Sequence, residues 1–172
     1  MENNLKNSRT NLEALAQNVV TLAKSLGKTF TFAESCTGGL LAKCITDTPG
    51  ASVVFLGSIV SYSDTVKNSI LKVSSETLAS HTAVSKECAE EMARGALTVI
   101  TSDIAISVTG YAGPDGGTRE DPLGTVYLGI ATKSGEVKVI RKNYSGSRRQ
   151  VREAATITAL EALLQALNET KS

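Results

Sequence analysis

Apolar residues recur at helical spacing from Asn11 to Leu26: Leu12, Leu15, Val19, Leu22 and Leu26 share a face, and Gly27 follows as a natural C-cap. Thr29 to Ala33 is a short β-prone run that ends at Glu34-Ser35. Thr37-Gly38-Gly39 then opens a second helix through Leu40, Leu41 and Ile45, closed near Pro49-Gly50. The β-branched and aromatic content of Val53 to Tyr62 predicts a strand, and two short helices follow around Asp64–Ile70 and Ser75–Ala79. Ser85 is placed to cap a helix running to Ile100 that carries Ala89, Met92, Ala93 and Ala96 on its apolar face. Asp103 to Thr109 reads as a buried strand and Gly110 to Pro122 as a loop. Thr125–Thr132 and Glu136–Tyr144 form a hairpin turned at Lys133-Ser134-Gly135, before a last helix from Ser147 to Leu167.

Helices alternating with strands early, and a hairpin late, predict an α/β fold: a three-layer α/β/α sandwich with a mixed β-sheet. In such sheets ligands sit beyond the carboxyl ends of parallel strands. The loops after Ala33, Tyr62 and Thr109 are therefore where chemistry is expected. Residues 1–10 are polar and read as a disordered or frayed tail, leaving 11–170 as a single domain.

Composition narrows the function classes. Of 172 residues, 41% are hydrophobic and 20% charged, which suits one domain with a real core. A net charge of +1 provides no global field for DNA or an anionic membrane, and 4% aromatics with no Trp gives a poor platform for stacking bases. No nucleic-acid partner is expected, and any anionic ligand must be held by a local cluster. Cys36, Cys44 and Cys88 are odd in number and lack metal-ligand spacing, so they read as reduced cytosolic thiols. Without an apolar leader or a run approaching the roughly 20 residues that span a bilayer, the expectation is a cytoplasmic protein with no membrane contact.

Ser35 lies where a strand hands over to a helix, ahead of Thr37, Gly38 and Gly39. A serine there can be presented beside backbone N–H groups that hold an oxyanion or a phosphate. Equally, Ser35 or Thr37 can simply cap a helix, and shape alone leaves both readings open. A nucleophilic serine needs a base. His81 is the one histidine, but its place just after a short helix suits a surface or C-cap residue. Lys67, after the strand that ends at Tyr62, is otherwise one of many surface lysines. The glycine-dense stretch Gly110-Tyr111-Ala112-Gly113-Pro114-Asp115-Gly116-Gly117 lacks the Gly-Lys-Ser/Thr close of a Walker loop. It either lets backbone approach a ligand, with Thr109 offering a hydroxyl at its edge, or is a long surface loop or subunit contact. Arg148, Arg149 and Arg152 open the last helix against its dipole, a placement that makes sense if one grips a phosphate or carboxylate and otherwise forms a solvated basic face. The carboxylates are scattered, and no metal site is expected.

These segments, taken in order, resemble the CinA C-terminal domain family, whose characterised activity is nicotinamide-nucleotide amidase. The resemblance runs from about Leu12 to Leu167. Its most specific element is Ala33-Glu34-Ser35-Cys36-Thr37-Gly38-Gly39, which agrees with the family motif throughout. Tyr62-Ser63-Asp64 with Lys67, Ala83-Val84-Ser85, Thr109-Gly110 with Ala112 to Gly117, Gly124-Thr125-Val126, and Gly146 with Arg148 and Arg152 follow in the expected order. The resemblance implies that Ser35 is the nucleophile, Lys67 its base and Tyr62 an assisting group. It implies a substrate-binding set of Thr37, Gly38, Gly39, Thr109, Gly110 and Arg148. No metal or cofactor is implied. Nicotinamide mononucleotide would be deamidated to nicotinic acid mononucleotide and ammonia, a step of pyridine-nucleotide recycling. Cys36 is a rival nucleophile by adjacency, expected instead to pack. Such domains are usually homo-oligomers and often follow another enzymatic domain, for which this chain has no room, so a stand-alone enzyme is expected. Tyr111, Thr82 and Ser147 depart from the family's Ile, Gly and Asp. Loss of the acid at 147 removes a group that would orient Arg148, and these departures motivate the alternative of a non-catalytic nucleotide-binding or regulatory module.

Overall fold

The computed structural model describes the backbone of residues 2–170 and the side chains of residues 11–170. Six α-helices and five strands are present among them: α1 (Glu2–Leu26), β1 (Phe30–Glu34), α2 (Leu40–Thr46), β2 (Phe55–Val60), α3 (Asp64–Ser69), α4 (Ser75–Ser80), α5 (Lys86–Val99), β3 (Ile104–Gly110), β4 (Thr125–Thr132), β5 (Val137–Asn143) and α6 (Arg148–Glu169). The helix expected from Asn11 begins at Glu2, so the stretch expected as a frayed tail is helical backbone from that residue on. The second helix is shorter than its pattern suggested: a 3-10 turn at Ala51–Val53 follows it and delays β2 to Phe55.

The sheet order is β2-β1-β3-β4-β5. β1 runs parallel to both β2 and β3, while β4 and β5 are antiparallel, so the sheet is mixed as expected. Because β1 lies between β2 and β3, the chain leaves its carboxyl end in one direction and returns on the other side, opening a crevice there. The carboxyl ends of the three parallel strands, and the loops that follow them, meet at one edge of the molecule.

Alternation along β3 divides the two faces. Ile104, Ile106 and Val108 join Phe30, Phe32, Val126, Leu128 and Ile130 against α1, α2 and α6. Phe30, Phe32 and Phe55 pack with ring centroids 5.0–5.6 Å apart, each fully buried ring contributing roughly 1.5–3 kcal/mol of transfer free energy. The opposite face is built from small side chains, Ala33, Ala105 and Ala131, under Cys88, Met92, Ala93 and Ala96 of α5. Small residues bring α5 close enough for Ser107 Oγ to donate to the Ala89 carbonyl at 2.5 Å. Leu71 and Val73, which follow α3, pack into the same layer.

Candidate active site

The turn after β1 is fixed by the sheet before it and the helix after it. Ser35 N–H donates to Val108 O at 2.8 Å, extending the β1–β3 ladder one residue past the strand, and Ser61 N–H donates to Glu34 O at 2.8 Å on the other side. Gly38 N–H then closes a tight turn onto Ser35 O at 3.1 Å. Gly38 and Gly39 follow with φ of +58° and +91°, a left-handed stretch that side chains rarely adopt and that starts α2 abruptly.

Such an entry leaves α2 without a side-chain cap at Gly39. Glu34 takes that role from the strand side. Its buried carboxylate accepts from Gly39 N–H at 2.9 Å, Leu41 N–H at 3.1 Å and Ala42 N–H at 2.9 Å, and from Ser58 Oγ at 3.0 Å. The positive end of α2 is thus occupied by an internal anion. Sequence reasoning gave Glu34 no part. The signal was present: an acid at a strand end, facing a helix that begins with two glycines. The expected donors narrow accordingly. Gly38 N–H and Gly39 N–H are committed within the protein; in the middle of the turn, Thr37 N–H has no acceptor among the described residues and Cys36 N–H lies against its own thiol.

Ser63 caps α3, accepting from Val66 N–H at 3.3 Å, and the short helix directs Lys67 inward. Lys67 is 2% exposed, and its Nζ donates to Ser35 Oγ at 3.2 Å and to Ser61 O at 3.0 Å, with Asp64 Oδ1 at 3.7 Å. An amine held against a hydroxyl in this way can exchange a proton with it. His81 lies elsewhere: it is the C-cap of α4, half exposed, and its Nδ1 stands 3.7 Å from Glu87 Oε2. Cys36 is packed in the core with its thiol pushed up to about 12 by burial, so it stays protonated near neutral pH and is no thiolate nucleophile.

From the far side α6 contributes two arginines one turn apart. Arg148 Nη2 donates to the Tyr62 hydroxyl at 2.8 Å and Nη1 to Gly113 O at 2.7 Å, tying the loop after β2 to the loop after β3. Tyr62 is 62% exposed, and no hydrogen bond joins it to Ser35 or Lys67 among the described residues. Ser147, in place of an acid, builds a full capping box with Gln150, so Arg148 takes its orientation from Tyr62 and Gly113. Arg152 Nη2 donates to Thr37 O at 2.6 Å.

Thr109 and Gly110 stand at the end of β3 as expected, with roles the strand pattern did not reveal. Thr109 Oγ1 gives its proton to Ala83 O at 2.6 Å, holding the segment ahead of α5 and leaving the oxygen as an acceptor. A Cβ on Gly110 would stand 2.6 Å from Thr125 O, so glycine permits the close approach of β4 there. No group of three or more His, Cys, Asp or Glu side chains is placed to hold a metal ion among the described residues. No described helix is long and apolar enough to cross a membrane.

Known proteins share this sequence and this fold. The model of the CinA C-terminal domain matches residues 12–167. Nicotinamide-nucleotide amidohydrolase PncC of Escherichia coli K12 is 47% identical over 154 residues, covering 90% of this chain and 93% of its own. A CinA-like protein of Thermotoga sp. RQ2 is 44% identical over 153 residues; these cover 89% of this chain, which spans only 37% of that longer relative. Among solved structures, the competence/damage inducible protein CihA from Agrobacterium tumefaciens superposes with a TM-score of 0.88 at 40% identity, covering 92% of this chain and 96% of its own.

Proposed function

The chain belongs to the CinA C-terminal domain family, and we propose on that premise that it hydrolyses the carboxamide of nicotinamide mononucleotide, with Ser35 as nucleophile and Lys67 as base. The observation that carries the proposal is the buried Lys67 Nζ, 3.2 Å from Ser35 Oγ. It stands beside a turn where Thr37 N–H has no acceptor among the described residues and Cys36 N–H has its own thiol to give up. The name of the PncC relative, matched over nearly its whole length, supports the choice of substrate.

In this scheme Lys67, as the free amine, takes the hydroxyl proton while Ser35 Oγ bonds to the carboxamide carbon. The carbonyl oxygen becomes an oxyanion held by Cys36 N–H and Thr37 N–H. Collapse breaks the C–N bond, and the Lys67 ammonium returns its proton to the leaving nitrogen, which departs as ammonia. Tyr62, hydrogen-bonded by Arg148, is the second group offered for that proton. Water then attacks the acyl-enzyme, giving its proton to Lys67, and nicotinic acid mononucleotide leaves with Ser35 restored. Arg148 is the residue assigned to the nucleotide phosphate. No step calls for a cofactor. The conversion would serve pyridine-nucleotide recycling.

Ammonia and acid product measured on nicotinamide, its riboside and its mononucleotide test the proposal, with turnover expected on the mononucleotide. Undiminished turnover in Ser35→Ala would sink the mechanism. Nucleotide binding without turnover would favour the non-catalytic module instead.

A further inference from the structure

Arg152 is half-buried, and its guanidinium has no carboxylate within ion-pair distance among the described residues. A cation withdrawn from water without an anion is costly. Arg152 Nε and the Oγ1 of Thr37, the residue whose carbonyl Arg152 holds, are also buried with no hydrogen-bond partner among the described residues. Two orphaned polar atoms at one spot, each costing roughly 1–3 kcal/mol, are unusual in a well-packed domain. Both adjoin the serine turn. The single strong bond that Arg152 makes, 2.6 Å from Nη2 to Thr37 O, is to that turn's backbone, and a Cβ on Gly38 would lie 3.5 Å from the same nitrogen. The positive charge is felt there too: Arg152 and, after it, Arg148 oppose the burial that raises the Cys36 thiol.

We propose that Arg152 is the positioning residue of the oxyanion turn: by holding Thr37 O it keeps the Cys36 and Thr37 amides facing the substrate carbonyl oxygen, and its unpaired charge favours the oxyanion formed there. The inference rests on the amidase reading of Ser35. It separates the two arginines by task. Arg148 reaches the loops that receive the nucleotide and acts in binding, whereas Arg152 acts once negative charge develops. That difference is legible in kinetics. Losing an interaction made only in the transition state lowers kcat and spares KM.

The test compares Arg152→Met, Arg152→Lys and Arg148→Met with the unaltered protein, by ammonia release from nicotinamide mononucleotide and by the rate at which a small fluorophosphonate labels Ser35. In that labelling Oγ bonds to phosphorus and fluoride leaves, and the reagent carries no nucleotide. For Arg152→Met, kcat and the labelling rate are expected to fall about a hundredfold with KM held within about twofold. Arg152→Lys, which keeps the charge, should recover about tenfold of that at an unchanged melting temperature. Should the Met variant fail to fold, the Lys variant alone is expected about tenfold below wild type in kcat. For Arg148→Met the loss should fall on KM. A kcat within threefold of wild type, a loss appearing in KM instead, or a Lys variant as impaired as Met with a matching drop in melting temperature would each overturn the proposal. Labelling that slows in Arg152→Met while the unaltered protein leaves the nucleotide intact would sink the substrate reading and keep this inference. An unaltered protein with no labelling at all would overturn both.

Discussion

Helices α3 and α4 are each six residues long, each N-capped by a serine, and each ends near a residue able to carry a proton. α4 is clamped from α5: Glu91 accepts from Ser74 N–H and from the Thr77 hydroxyl, both at 2.7 Å. Its His81 faces outward, half exposed, toward Glu87. α3 is tied instead to the segment that follows it, Asn68 Nδ2 donating to Val73 O at 2.8 Å. Its Lys67 turns inward to 2% exposure and spends its hydrogen bonds on Ser35 Oγ and Ser61 O. Histidine is the residue whose intrinsic pKa suits a base at neutral pH, yet reach and orientation favour lysine. Proximity to the proton decides first, and titration only after it.

Lys67→Met tests the favoured side most severely: kcat for the proposed amidase should fall about a thousandfold, read by ammonia release, with the fold retained because the site is closed and the replacement apolar. Glu34→Gln attacks the frame that presents Ser35. It withdraws one of two acceptor oxygens from three N–H groups and sets an amide donor among them, so urea unfolding should show a loss of about 3 kcal/mol. Next comes the rival nucleophile. With its thiol raised to about 12, Cys36 stays protonated as pH climbs past the unfolded value of about 8.5, so at pH 9 iodoacetamide should modify it on denaturation and spare it in the native protein, by peptide mass mapping. His81→Ala should do least, changing turnover less than twofold and stability by under about 0.5 kcal/mol, because its contact with Glu87 is long and solvated. A large effect there would reverse the contrast between the two helices.

Caps and strands with local causes were legible in the sequence. Ser85 and Ser147 sit where their helices begin, and β4 has the bounds its pattern predicted. The serine turn was legible in outline, since Gly-Gly after a strand end demands an abrupt entry to a helix. What the sequence could not convey were partnerships across distance. Lys67 is 32 residues from Ser35, and no spacing rule joins them; the family resemblance did. Thr109 looked like a hydroxyl held ready for ligand because it ends a strand, but its proton is already taken by Ala83 O, 26 residues away. Arg152 shared a run with two other arginines, and its contact with Thr37 O, 115 residues distant, could not be inferred from composition. The stretch before Asn11 lacked an apolar stripe and so read as tail, whereas its backbone continues the helix.

The carboxylate of Glu34 grips α2 through main-chain N–H groups and not through any of its side chains. Such a contact survives replacement of the residues that supply it, provided the chain there stays helical and Gly39 keeps its left-handed turn. Over evolutionary time residues 40–46 are therefore free to drift on their solvent side, while Leu41 and Ile45 answer to the core. The serine's geometry is insulated from that drift. One acid at a strand end makes the site robust to change in its own supporting helix, and concentrates the cost of error on Glu34 itself.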